Sequence, residues 1–498
     1  MLVLVVVAPG APAAAAAPGL AVGVTEDRFR GQPLTAVTIA RDLGLTAFRV
    51  SLEWTPSQTE LSASDAEEFD TLVPAAFGLR IIVTVYGTAN SAPIDSGNRA
   101  AYCAYVRNLL ERYPTINDVV IWNEPNLGYF WKPQFDSGGA SLAPAGYGRL
   151  LAHCWDVLHD VRPSVNVIVT TSPSGNDNPR AITNASHAPG SFIRKLGAAY
   201  RASGRTRRIF DTVGHNPYGM NSAELPWRRH LVPSHIAQGD SDRLVEALAD
   251  GFRGTAQPTP AQCAGASSSS CVSIWYLEAG YQTVPDAAHR ALYAGRENDA
   301  HPIPDRTASG AREQTQSAQL AAGVKLAYCQ PYVGAFFNFL LWDEPDLARW
   351  QSGVLWVDGS RKNSFDALRR VVDEVGSGRV DCAKLQAADS MPWPAPDAIV
   401  DRIEWSPLTV FSAFNEVWRF GISVRADATY SAIVRRVRQR RTTRALKTGG
   451  AFRRGRPRVV RFRDQRLRPG RYRIDVVVTR KRTPRISVRR SSPIFVVR

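Results

Sequence analysis

The sequence predicts an α/β protein, a (β/α)8 TIM barrel followed by a small all-β immunoglobulin-like sandwich. Three observations carry that expectation. Eight short apolar, β-rich runs alternate with helical patterns from about residue 20 to 380; those runs are nearly continuous; and beyond residue 400 strict alternation replaces them. Continuous apolar runs mark parallel strands covered on both faces, and period-two runs mark antiparallel strands with one wet face.

The runs are GLAVGVT (19–25), TAFRVSLEW (46–54), LRIIVTVYG (79–87), DVVIWNE (118–124), VNVIVTTS (165–172), FDTVGHNPY (210–218), VSIWYLEAG (272–280) and GAFFNFLLW (334–342). Helical patterns between them include 99–113, 147–161, 192–202, 243–252, 314–329 and 364–375. Eight such repeats fit a closed barrel. A doubly wound open sheet competes, but it requires a Gly-rich phosphate turn after the first strand. Here the segment is GVTEDRFRG, which is not GxGxxG.

Four segments follow. Residues 1–18 form a leader of apolar and small residues, like a secretory signal peptide without its basic start. Residues 19–385 are the expected barrel, 386–400 a proline-bearing linker, and 401–498 the β-sandwich, with Pro469-Gly470 as a hairpin turn. Later apolar runs fall short of the ~20 residues of a membrane-spanning helix. A secreted or cell-surface protein is expected.

Six cysteines agree with export. Cys263 and Cys271 flank a small polar loop that a disulfide would tie. For the other four, Cys103–Cys154 and Cys329–Cys382 are the expected pairs among three connectivities, with buried free thiols as the alternative. No CxxC spacing is present, so zinc is not expected, and the strand ends show no aligned cluster of His and Asp for a metal; no cofactor is expected.

The net charge of +16 is unevenly placed. Residues 390–498 hold 27 Arg and Lys against seven Asp and Glu, about +20, which leaves the first 389 residues near −4. The basic module lacks the aromatic signature of RNA-binding sheets, and no zinc or helix-turn-helix pattern is visible. Nucleic acid is therefore not an expected partner. An anionic cell-wall polymer suits it better, and a solvated Arg-rich surface is the plainer alternative.

In a (β/α)8 barrel the C-terminal strand ends share one face, where active sites lie. Those ends carry Arg49, Glu53 and Trp54; Asn123 and Glu124; His215, Asn216 and Tyr218; Glu278; and Asn338 and Trp342. Two carboxylates with aromatic platforms suit cleavage of a glycosidic bond, one carboxyl giving a proton to the leaving oxygen. Trp131, Trp227, Trp350 and Trp356 are equally packing residues or sugar platforms, and Tyr129 and Phe130 stand in a loop that would line a cleft. Glu344, past Trp342, is a rival carboxylate or a lid residue.

WNEPN (122–126) and YLEAG (276–280) resemble the retaining glycoside hydrolase clan of (β/α)8 barrels, including the cellulase-like family 5 and family 39. The resemblance implies Glu124 as general acid/base and Glu278 as nucleophile. It implies Asn123 on the sugar 2-hydroxyl, Arg49 and Tyr218 on Glu278, and Trp342 as the floor of a sugar subsite. His215 is expected to touch substrate. Glu278 beside Arg49 should stay charged, and Glu124 facing it should hold its proton. A retaining double displacement on a poly- or oligosaccharide follows, with carboxyl oxygens about 5–5.5 Å apart. The rival class is a non-catalytic cell-surface carbohydrate-binding protein on a degenerate barrel.

Overall fold

The computed structural model describes residues 19–382 and 400–497, apart from 231–233, 261–271, 299–300, 308–312, 406–417, 425–426, 439–440, 455, 457, 463–469, 482–486 and 493–494. The leader, Cys263, Cys271, Pro469 and the linker up to residue 399 lie outside the described residues. The chain divides into two compact units, one of Met1–Arg228 with Ser234–Leu385 and one of Arg229–Pro233 with Gln386–Arg498.

The first unit is an eight-stranded parallel barrel. Its strands are β1 (Ala21–Thr25), β2 (Ala47–Glu53), β3 (Arg80–Tyr86), β4 (Asp118–Ile121), β5 (Asn166–Val169), β6 (Thr212–His215), β7 (Ile274–Ala279) and β8 (Val333–Phe339). Each is followed by a helix: α1 (Pro33–Asp42), α2 (Ala63–Ala75), α3 (Ser96–Arg112), α4 (Ala143–Val161), α5 (Pro189–Ala202), α6 (Ser241–Phe252), α7 (Gln316–Tyr328) and α8 (Asn363–Gly376). Strand order is sequential, and β8 pairs with β1 to close the barrel. Helix starts are written locally. Ser62, Asp95 and Thr315 accept from the N–H three residues on, and α1, α4 and α5 place Pro in the first turn, where its missing N–H costs nothing.

Both faces of the strands are buried, as the apolar runs require. One set of side chains packs against the helices, Val22, Val24, Phe48, Val50, Val83, Val85, Val119 and Ile121 among them. The alternate set fills the barrel: Ala47, Ile82, Val120, Ile168, Trp275, Leu277, Ala335 and Phe337. Small residues make room for large ones. A Cβ at Gly23 would meet the Phe337 ring at 2.6 Å, and one at Gly214 would meet Leu277 Cδ1 at 2.4 Å. Each fully buried side chain of this size contributes roughly 1.5–3 kcal/mol, so the filled interior can support a polar rim.

Polar residues at the N-terminal strand ends register the strands. Arg80 makes a bidentate contact with Asp118 at 2.6 and 2.7 Å, Asn166 donates to Asp118 Oδ1 at 2.7 Å, and Thr212 donates to Asn166 Oδ1 at 2.7 Å. Asp118 thus serves the fold at the face opposite the one that carries active sites.

Cys103 of α3 and Cys154 of α4 form a disulfide, and Cys329 pairs with Cys382, as expected. Among the described residues no helix is long and apolar enough to cross a membrane.

The second unit is all-β. One antiparallel sheet holds Val400–Trp405, Trp418–Val424 and Arg458–Phe462. The other runs Arg441–Phe452, Ala428–Arg438, Gly470–Arg480, Ser487–Ser491, with Phe495–Val497 also paired to Gly470–Arg480. Ile422, Val424 and Val460 of the first sheet share one apolar cluster with Tyr430, Val434, Ile474, Val476 and Val478 of the second. Alternation inward to this cluster explains the period-two pattern.

Candidate active site

The C-terminal strand ends surround a cavity of about 790 Å³ lined by Arg49, Asn123, Glu124, Tyr218, Glu278 and Trp342, together with Glu26, Phe339 and Trp350. How Glu124 arrives there follows from the end of β4. The strand stops at Ile121, earlier than the run DVVIWNE predicts, and Trp122 and Glu124 adopt φ of 64° and 39°. Side chains rarely accept this left-handed backbone, at about 1–3 kcal/mol per residue, so surrounding contacts must hold it. Trp122 is fully buried among Trp54, Tyr102 and Trp131, and its indole N–H donates to the Phe130 carbonyl at 2.6 Å. Asn126 fastens the far side, donating to Ser172 Oγ and to the Ser174 and His187 carbonyls at 2.8, 3.2 and 3.0 Å. The second asparagine of WNEPN therefore ties the loop after β4 to the loop after β5.

Glu278 stands on β7 opposite. Its Oε1 receives Arg49 Nη1 at 2.6 Å, and its Oε2 receives the Tyr218 hydroxyl at 3.2 Å. Arg49 is buried and fully directed: Nε donates to Thr84 Oγ1 at 2.6 Å and Nη2 to Asn123 Oδ1 at 3.2 Å. One guanidinium thus spans β2, β3, β7 and the end of β4. A rigid five-donor fork suits that work, which an ammonium on a flexible stem does not.

Glu124 is in a different environment. Burial, and then the charge of Glu278, push its carboxyl up to about 8, opposed by the Asn216 side-chain N–H that donates to Oε1 at 2.7 Å. Desolvation disfavours the charged form, the neighbouring carboxylate adds to this, and the charge of Arg49 offsets only part of it. Near neutral pH Glu124 holds its proton. Tyr218 is pushed far above its ordinary range by burial and by the two glutamates, so it remains a hydroxyl donor.

His215 does not join this group. It is buried beneath the rim, its Nε2 donates to the Ile236 carbonyl at 2.8 Å, and its Nδ1 accepts from Thr171 Oγ1 at 3.0 Å. Burial lowers it to about 4, which leaves the ring neutral with both nitrogens engaged. Its chain neighbour Asn216 instead meets Glu124. The run HNPY placed both at the strand end, and side-chain alternation along the extended chain sends neighbours opposite ways.

Tyr218 packs against Trp350 at 4.9 Å, and Phe339 meets the Trp350 ring edge-on at 5.4 Å. Trp342 lines the cavity with the Arg28 guanidinium over its ring at 5.3 Å. Of the other tryptophans weighed, Trp131 and Trp356 are buried and Trp227 is half-buried away from the cavity lining. Phe130 reaches the cavity, whereas Tyr129 is exposed. Glu344 lines the cavity and accepts from the Trp350 N–H at 3.0 Å. Glu53 is exposed at the end of β2, and Asn338 is buried on the Leu340 and Ser352 carbonyls.

Glu26, just past β1, was not singled out by the sequence pattern. Its carboxyl accepts backbone N–H groups of Arg28, Leu341 and Trp342 at 3.0, 3.1 and 3.1 Å, and burial raises it. It fixes the chain that carries Trp342. Among the described residues no group of His, Cys, Asp and Glu has the form of a metal site.

The chain matches no family model and no curated protein. Its fold resembles glycoside hydrolases among solved structures. A family 39 glycoside hydrolase from the gut symbiont Bacteroides cellulosilyticus aligns with a TM-score of 0.49 at 15% identity, over 90% of this chain and 81% of that one. A calcium-binding mutant of Bacteroides uniformis beta-glucuronidase 2 gives 0.43 at 10% identity, over 96% and 46%. An FMN-binding beta-glucuronidase from Facaelibacterium prausnitzii gives 0.39 at 12% identity, over 97% and 56%. The chain spans about half the length of these two glucuronidases. At such distances the chemistry rests on the cavity itself.

Proposed function

We propose that the protein is an exported glycoside hydrolase that cleaves O-glycosidic bonds of a poly- or oligosaccharide by a retaining double displacement. The observation that carries this reading is the contrast between two carboxyls at one cavity. Glu124 is buried and raised to about 8, with no ion pair of its own among the described residues, whereas Glu278 is paired directly with the Arg49 guanidinium at 2.6 Å. Such a split gives an acid and a nucleophile.

In the first step Glu278 attacks the anomeric carbon while Glu124 gives its proton to the departing oxygen. The products are a glycosyl ester on Glu278 and a free hydroxyl on the leaving group. Glu124, now a carboxylate, takes a proton from water, whose oxygen displaces Glu278 and restores both residues. Asn123, set by Arg49, is the partner for the 2-hydroxyl. Tyr218 steadies Glu278, and Trp342 and Trp350 offer flat apolar faces to sugar rings. Residues 19–385 form the catalytic domain and 386–400 the linker to an immunoglobulin-like sandwich at 401–498. That basic sandwich holds the enzyme near an anionic cell-wall polymer, a contact that should weaken with salt.

Glu124→Gln and Glu278→Gln, made separately, test the reading. Each should cut aryl-glycoside hydrolysis by about a thousandfold or more, and NMR of the wild-type product should show retained anomeric configuration. Hydrolysis surviving both substitutions would mean the barrel binds carbohydrate without cleaving it.

A further inference from the structure

We propose that Lys362 is a positioning residue. Its buried ammonium clamps the loops after β7 and β8 together and so fixes Trp342 and Trp350 at the cavity wall. The inference rests on reading that cavity as a sugar site.

The Lys362 and Asp343 side chains are both 0% exposed and meet at 2.7 Å. The ammonium has three protons and three acceptors: Asp343 Oδ1 at 2.7 Å, Thr283 Oγ1 at 2.7 Å and the Gln351 carbonyl at 3.2 Å. Asp343 is equally occupied, accepting the Tyr293 hydroxyl on Oδ2 at 2.6 Å and the Gly353 N–H on Oδ1 at 3.0 Å. The ammonium also lies 4.6 Å from the centre of the Trp356 ring, on which His289 stacks. Thr283, His289 and Tyr293 follow β7, whereas Asp343, Gln351 and Trp356 follow β8.

Two of the three acceptors, Asp343 and Gln351, adjoin residues that line the cavity. Asp343 follows Trp342 in sequence, and its carbonyl accepts from Arg28 Nη2 at 3.3 Å, the guanidinium that covers the Trp342 ring. Gln351 follows Trp350, and its side-chain amide donates to the Glu344 and Asp346 carbonyls at 3.2 and 2.8 Å. Moving the ammonium would loosen the segments that carry both tryptophans, leaving Trp342 held by Glu26 and Trp350 by Glu344.

Stability alone gives no reason to keep such a pair. Desolvating two full charges costs so much that well-packed apolar residues of similar volume often serve as well or better. A directed, saturated pair that crosses two loops is suited to fixing their register.

The decisive comparison uses the full chain with two variants, Lys362→Met and the double variant Lys362→Met/Asp343→Asn. The single variant strands a buried carboxylate and should melt well below wild type. The double variant removes both charges and should recover most of that loss. If Lys362 positions the loops, the double variant still exchanges amide hydrogens about tenfold faster over 340–353, with the barrel strands unchanged. Its KM for an oligosaccharide rises about tenfold while kcat stays within about threefold. If Lys362 is only part of the scaffold, exchange and KM return to wild-type values along with the melting temperature, and the proposal is overturned. Should the wild-type protein hydrolyse no glycoside, the functional reading fails, and the exchange measurement still decides the clamp.

Discussion

Asn216 donates its side-chain N–H to Glu124 Oε1 at 2.7 Å, and that bond, ahead of the charge of Arg49, favours the charged form of the carboxyl against burial and Glu278. The proposed mechanism starts with Glu124 protonated. The kcat/KM profile of the free enzyme should therefore fall as pH rises through about 8. Asn216→Ala removes the stabilising donor, so the alkaline limb should move to higher pH even as the maximum rate drops. A limb that stays in place would separate Asn216 from the titration.

The same carboxyl links stability to pH. Unfolded, Glu124 titrates near 4.5; folded, near 8, so between these values the unfolded chain binds fewer protons and stability falls as pH rises. Glu124→Gln removes that liability. We expect the variant to be more stable than wild type by on the order of 1–3 kcal/mol at pH 7.5, with the difference shrinking at pH 5. Equal denaturation midpoints at both pH values would contradict the buried-acid assignment.

Arg49→Lys keeps a positive charge but not the three-way reach to Glu278, Thr84 and Asn123. Its kcat should drop by roughly two to three orders of magnitude, in the range seen when a transition-state electrostatic contact is lost. Steady-state kinetics on an aryl glycoside measures it. A near-native kcat would show that the charge alone suffices.

The Cys103–Cys154 bond joins the helices after β3 and β4 across a separation of 51 residues. Replacing both cysteines by Ala should lower stability by about 2–4 kcal/mol and leave kcat unchanged in the folded fraction. Chemical denaturation with and without reductant reads the effect.

The barrel was legible because its signal is spread over eight segments. Parallel strands buried on both faces leave runs that no single turn or loop can disguise, and the two disulfides among the described residues join neighbouring helices or lie near the end of the unit. The strand-end glutamates were legible for the same reason, since topology alone brings Glu124 and Glu278 to one rim. What the pattern does not encode is which way a side chain turns once the strand has ended. His215 and Asn216 are neighbours in sequence, yet one is sealed beneath the rim and the other meets Glu124. Glu26 escaped notice because it acts through backbone groups of the β8 loop, more than 300 residues away, and Lys362 because its partners Thr283, Asp343 and Gln351 come from two different loops. Polar contacts of that kind leave no periodicity to read.

The left-handed turn at Trp122 and Glu124 has a practical corollary for protein engineering. Grafting two glutamates onto an idealised barrel would reproduce the inventory but not the approach angle, because a regular strand end cannot present Glu124 this way. A successful transplant would need to bring the whole segment from Trp122 to Asn126, along with the aromatic bed beneath it and the Asn126 tether. The portable unit is a folded corner, and the carboxyl is its tip.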